Sequence, residues 1–131
     1  MQKKILILST KNNSHSLVAE AVLNKHLQQL TINSAGIKPT AIDKNIVKLL
    51  KKENLWDDKY QPKDFKQFTE ENFDLVIILS EKILKNPPKF NENTKMIYLE
   101  YEPLNENNYS EYEQLFKDIK MELIPIIRLE L

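Results

Sequence analysis

The chain has 131 residues, 41% of them hydrophobic, a proportion that fits one small soluble domain over residues 1–131. No cysteine and only two histidines exclude disulfides, thiolate nucleophiles and the usual zinc or iron–sulfur sites, so no cofactor is expected. The single glycine, Gly36, excludes glycine-rich nucleotide loops, and 19 Lys+Arg against 19 Asp+Glu, with Arg128 the lone guanidinium, gives no field for nucleic acid.

The elements follow in chain order. Met1-Gln2-Lys3-Lys4 precedes an apolar stretch, Ile5 to Leu8, too short for a signal-peptide core or a membrane span, so a cytoplasmic protein with no membrane partner is expected. That stretch reads as a strand covered on both faces. Leu17, Val18, Ala21 and Val22, with Ala19, Leu23, Leu27 and Leu30 on a neighbouring row, predict a broadly buried helix starting near Ser16. Thr31 to Ser34 predicts a second strand ended by Ala35-Gly36. Ile42, Ile46, Leu49 and Leu50 predict an amphipathic helix from about Asp43 whose lysines face solvent.

Trp56 to Phe73 is charged and aromatic, with a short helix predicted over 63–71 after Pro62. Trp56, Tyr60, Phe65 and Phe68 read as packing for this crossover. Leu75 to Leu79 is the clearest strand, a turn of helix follows, Pro87-Pro88 breaks the chain, and Met96 to Leu99 predicts a fourth strand. Tyr112, Leu115, Phe116, Ile119, Leu123 and Ile126 form a last helical stripe, which Pro125 is expected to kink or end. This order predicts an α/β fold with a mostly parallel sheet and helices on both faces. Ligands in such sheets sit beyond the carboxyl ends of strands, here the loop from Ser9 into the first helix.

That loop, Ser9-Thr10-Lys11-Asn12-Asn13-Ser14-His15-Ser16, brings hydroxyls, amides and one imidazole to a helix N-terminus, an environment suited to an anion. Its plainer reading is a helix start capped by its own Ser or Asn. His26, on the same helix, reads as a surface residue.

The loop is followed by Ala19-Glu20, by Ser34-Ala35-Gly36 after the second strand, by Phe73-Asp74-Leu75-Val76-Ile77 and by Glu102-Pro103 before the last helix. In this order and spacing the chain resembles the low-molecular-weight protein tyrosine phosphatases and their arsenate-reductase relatives. The resemblance implies a three-layer α/β sandwich with a four-stranded parallel sheet in the order 2-1-3-4. It also implies a loop of the form Cys-x5-Arg-Ser/Thr, in which Ser9 falls on the nucleophilic Cys, His15 on the oxyanion-binding Arg and Ser16 on the next hydroxyl residue. Asn12 falls on the loop Asn that supports the backbone turn. Lys11 falls where Gly is common, and its Cβ would strain the loop if φ were positive there. Glu102 falls at the general acid, where the family has Asp.

The departures fall on the chemistry. Serine in this position stays an alcohol and needs a base to attack, and arsenate reduction needs thiols this chain lacks. The expectation is a degenerate family member, a pseudoenzyme with no assigned catalytic residue. Its loop, Thr10, Lys11, Asn12, Asn13, Ser14, His15 and Ser16, would keep weak binding of phosphate, sulfate or a phosphorylated protein. Binding is expected to strengthen below about pH 6.5 if His15 is the charged contact. The alternatives are a weak phosphatase using Ser9 with His15 or Glu102, and an interaction domain with no ligand.

Overall fold

The computed structural model describes residues 2–131. Strand β1 (Lys4–Ser9) leads into helix α1 (His15–His26), then β2 (Thr31–Gly36) and α2 (Lys44–Lys52). A 3-10 turn (Phe65–Phe68) precedes β3 (Leu75–Ile78), α3 (Glu81–Lys85), β4 (Lys95–Tyr98) and α4 (Tyr109–Glu130). All strand pairs are parallel and the sheet order is β2-β1-β3-β4, the order the resemblance implies.

Alternation along the strands separates two cores. Ile5, Ile7, Leu75 and Ile77 face the layer formed by α1, α2 and α4, whereas Leu6, Leu8, Val76 and Ile78 face Phe68, Phe73 and Ile83. The central strands β1 and β3 are covered on both sides, which explains their unbroken apolar sequence. In α1 every residue from Ser16 to Leu23 is buried.

The structure changes several element limits. β2 runs through Ala35 and Gly36, because Gly36 still pairs with Ser9 at the end of β1. The helix expected over 63–71 is only the 3-10 turn, started by the Asp64 carboxylate accepting the Lys66 N–H. β3 stops at Ile78, and β4 lies one residue earlier than expected, from Lys95 to Tyr98. Helix α4 continues through Pro125 to Glu130, with Ile127 rather than Ile126 in its buried stripe. Pro125 sits on the exposed face, where the Met121 carbonyl it leaves without an N–H partner can be hydrated, while Leu123 and Ile127 hold the helix to the core. Among the described residues no helix is long and apolar enough to cross a membrane.

Candidate functional site

β1 lies between β2 and β3, so the loop leaving Ser9 opens at the point where successive connections diverge. The segment after β2 runs beside this loop and takes up its carbonyls. The N–H groups of Ile37, Lys38, Thr40 and Asp43 donate to the carbonyls of Ser9, Thr10, Lys11 and Asn13 at 3.2, 2.8, 3.1 and 3.0 Å. These bonds occupy four of the loop's carbonyls. Gly36 makes the close approach possible: a Cβ there would sit 3.0 Å from both Asn12 Cβ and the Thr10 carbonyl oxygen.

The left-handed residue of the loop is Asn12, at φ 49°, a conformation that asparagine tolerates better than most residues. Lys11 is outside that region, so its Cβ does not strain the turn. The buried Asn12 side chain fastens the loop to three other segments. Its Nδ2 donates to Ser16 Oγ at 2.7 Å and to Ser34 Oγ at 2.9 Å, while Oδ1 accepts the Lys63 N–H at 2.8 Å. Ser34 in turn donates to Glu20 Oε1 at 2.5 Å, and Lys63 Nζ lies 3.2 Å from the same oxygen. Burial pushes the Glu20 carboxyl pKa up, and the Lys63 ammonium and the Ser34 hydroxyl oppose the shift.

This network was not foreseen from sequence. Lys63 went unnoticed, Ser34 counted only as part of a motif, and the signal for Glu20 was a carboxylate on a helix face otherwise made of Val, Ala and Leu. A charge there requires a partner.

Ser9 Oγ accepts the Asn12 N–H at 3.0 Å and lies 3.0 Å from Ser16 Oγ. With Ser16 donating, both Ser9 lone pairs are filled and its proton is free for the cavity. In that arrangement Ser9 has a proton to donate and is a poor nucleophile. No base reaches it among the described residues. His15 Nδ1 is 3.0 Å from Ser14 Oγ, and Nε2 is 3.0 Å from the Glu102 carbonyl oxygen, which can only accept. The neutral ring therefore carries its proton on Nε2, and Nδ1 accepts from Ser14. Burial lowers the His15 pKa more than the Glu102 carbonyl and Asp43 raise it.

Ser14 is the N-cap of α1, but its hydroxyl makes no capping bond. The plain reading of a self-capped helix start does not describe this loop. The N–H groups of Lys11, Asn13, Ser14, His15 and Ser16 meet no protein acceptor among the described residues. They border a cavity of about 620 Å3, lined also by Ser9 and Thr10, with Ser80, Tyr101 and Asp43 on its other walls. The Asp43 carboxylate is already bonded to the Asn45 N–H and the Tyr112 hydroxyl, and burial and that contact push Tyr112 up to about 12.

Glu102 is not brought to this cavity. Its exposed side chain lies in a neighbouring groove with Glu100, Glu111, Asp118 and Glu122, and only its backbone carbonyl serves the site. Tyr60 and Phe68 are buried, and Trp56 and Phe65 pack against the cores, so the four aromatics hold the crossover together. His26 is exposed. Among the described residues no group of three or more His, Cys, Asp or Glu is placed to hold a metal.

Residues 4–123 match the family model described as low molecular weight phosphotyrosine protein phosphatase. The chain belongs to this family. No curated protein matches it. Among solved structures it is similar to the arsenate reductase of Archaeoglobus fulgidus, at 19% identity and TM-score 0.74, with 94% of this chain and 98% of that one covered. It is similar to the tyrosine phosphatase Wzb of Escherichia coli K30, determined in complex with sulphate, at 19% identity and TM-score 0.70, covering 97% of this chain and 99% of that one. An arsenate reductase in the phosphate-binding state reaches TM-score 0.80 at 15% identity, covering 99% and 100%. At such identities these likenesses carry the fold alone. Within the low-molecular-weight phosphatase family this chain is a degenerate member: it has no cysteine.

Proposed function

We propose that the protein binds an oxyanion, as free phosphate or sulfate or as a phosphorylated side chain, in the loop from Ser9 to Ser16, and that it does not hydrolyse it. The observation that carries this reading is the uncapped start of α1 beside a loop whose carbonyls are taken up by the N–H groups of residues 37–43. Amides of this kind at a helix N-terminus attract negative charge without any charged side chain. Two solved relatives support the reading, one bound to sulphate and one in a phosphate-binding state.

In this proposal Thr10, Lys11, Asn13, Ser14, His15 and Ser16 surround the anion, Ser9 donates its hydroxyl proton, and Asn12 holds the turn. Hydrolysis has no support from the same geometry. Ser9 lacks a base, His15 is bonded away from it, and the Glu102 carboxylate faces another groove.

Calorimetric titration with sodium sulfate, together with an aryl phosphate turnover assay on highly purified protein and on Ser9→Ala, tests the reading. Saturable sulfate binding is expected, with equal background turnover for the two proteins. Turnover abolished by Ser9→Ala would establish the phosphatase instead. Absence of binding even at high sulfate would leave an interaction domain without an anion.

A further inference from the structure

Beside the anion cavity runs a second groove of about 390 Å3 with an apolar lining, formed by Ile37, Ile83, Pro87 and Pro88 with Lys38 and Lys82. Thr10 lines both spaces, so a chain held by its phosphate in the loop can continue into the groove. Ile37 is 40% exposed, a large apolar side chain next to two exposed lysines. Neither lysine is in an ion pair among the described residues. On the Tyr101 side the cavity adjoins the groove that holds Glu100, Glu102, Glu111, Asp118 and Glu122. The surroundings of the cavity are therefore polarised, cationic and apolar at one side and anionic at the other.

We infer that the groove of Ile37, Pro87 and Pro88 docks a protein segment with an apolar residue and an acidic residue beside the phosphorylated one. This rests on the oxyanion reading and adds to it the class of partner. The apolar side chain leaves water between Ile37 and the two prolines. The carboxylate is placed by Lys38 and Lys82 and is repelled from the Tyr101 side, which fixes the direction in which the segment lies. Free phosphate uses none of these contacts and gains nothing from the groove.

Fluorescence anisotropy on the full chain tests the inference with labelled phosphotyrosine peptides and their unphosphorylated counterparts. One has leucine and glutamate on the amino side of the phosphotyrosine, a second has them on the carboxyl side, and a third has serine and lysine on both sides. Sulfate titration runs in parallel, and the variant combines Pro87→Ser with Lys82→Gln, both exposed side chains. One leucine–glutamate peptide is expected to bind about tenfold more tightly than the serine–lysine peptide. The variant is expected to lose that advantage while its affinity for sulfate changes less than about twofold.

Sulfate binding with no preference among the peptides, or a preference the variant retains, overturns the groove and leaves the oxyanion reading standing. Binding of the leucine–glutamate peptide irrespective of phosphorylation, sensitive to the variant and without sulfate binding, keeps the groove and overturns the oxyanion reading. Absence of all binding overturns both.

Discussion

A histidine with both ring nitrogens already bonded responds to pH differently from one that faces solvent. His15 is held between Ser14 Oγ and the Glu102 carbonyl, and burial lowers its pKa from the ordinary value near 6.5. Above pH 6.5 the ring is neutral in both the folded and the unfolded chain and contributes no pH dependence. Between 6.5 and the lower folded value the unfolded chain binds more protons, so stability is lost as pH falls through that window. The urea midpoint of the protein is expected to drop on acidification below pH 6.5 by more than that of His15→Gln. His26, whose pKa is also lowered, is common to both proteins and cancels. Sulfate, which does not itself titrate in this range, is expected to bind with constant affinity from pH 8 to 6.5, because neutral amides hold it. A rise in affinity between pH 7.5 and 6.5 that His15→Gln abolishes would mean that the bound anion draws a proton onto His15.

Among the elements, α4 departs most from its sequence. A proline inside a helix removes one intrahelical hydrogen bond and crowds the carbonyl four residues back, at about 3 kcal/mol in an ordinary interior position. Pro125 is nevertheless inside a helix that runs from Tyr109 to Glu130. Burial on both sides of it, through Leu123 and Ile127, outweighs the local preference, because one buried Leu or Ile contributes about 1.5–3 kcal/mol. Pro125→Ala restores the N–H to the Met121 carbonyl and is expected to stabilise the protein by about 1–3 kcal/mol, read as a rise in the urea midpoint. A fall would mean that a bend at Pro125 is needed to seat Ile127. The other elements were legible where burial and periodicity agree, as in β1, β3 and α1. They were poorly legible where a single cap decides the outcome: the 3-10 turn depends on Asp64, and no hydrophobic pattern announces it.

For the whole molecule, the place of the loop between β1 and α1 could be read from the sequence, but its wiring could not. Ser9 and His15 line one cavity because a buried strand runs into a helix through one short loop, and that follows from local pattern. The partners that set their behaviour come from far along the chain: the Lys63 N–H reaches Asn12 across 51 residues, and the Glu102 carbonyl reaches His15 across 87. Only the folded topology brings those groups in, and they fix the ring of His15 at both nitrogens.

The same scaffold also supplies a test of what the family's Cys and Arg would do in this loop. Ser9→Cys would place a thiol where the Asn12 N–H and the Ser16 hydroxyl already converge, beside an uncapped helix start that favours the thiolate. His15→Arg would return a permanent charge and a planar fork to the cavity wall. Glu102 would still face the wrong groove, so the substrate should be an aryl phosphate whose leaving group needs little protonation. Under those conditions the double variant is expected to turn over at least about a hundredfold faster than the unaltered protein, and Ser9→Cys alone much less. An inert double variant that still binds sulfate would show that the loop geometry, and not only two side chains, has moved away from catalysis.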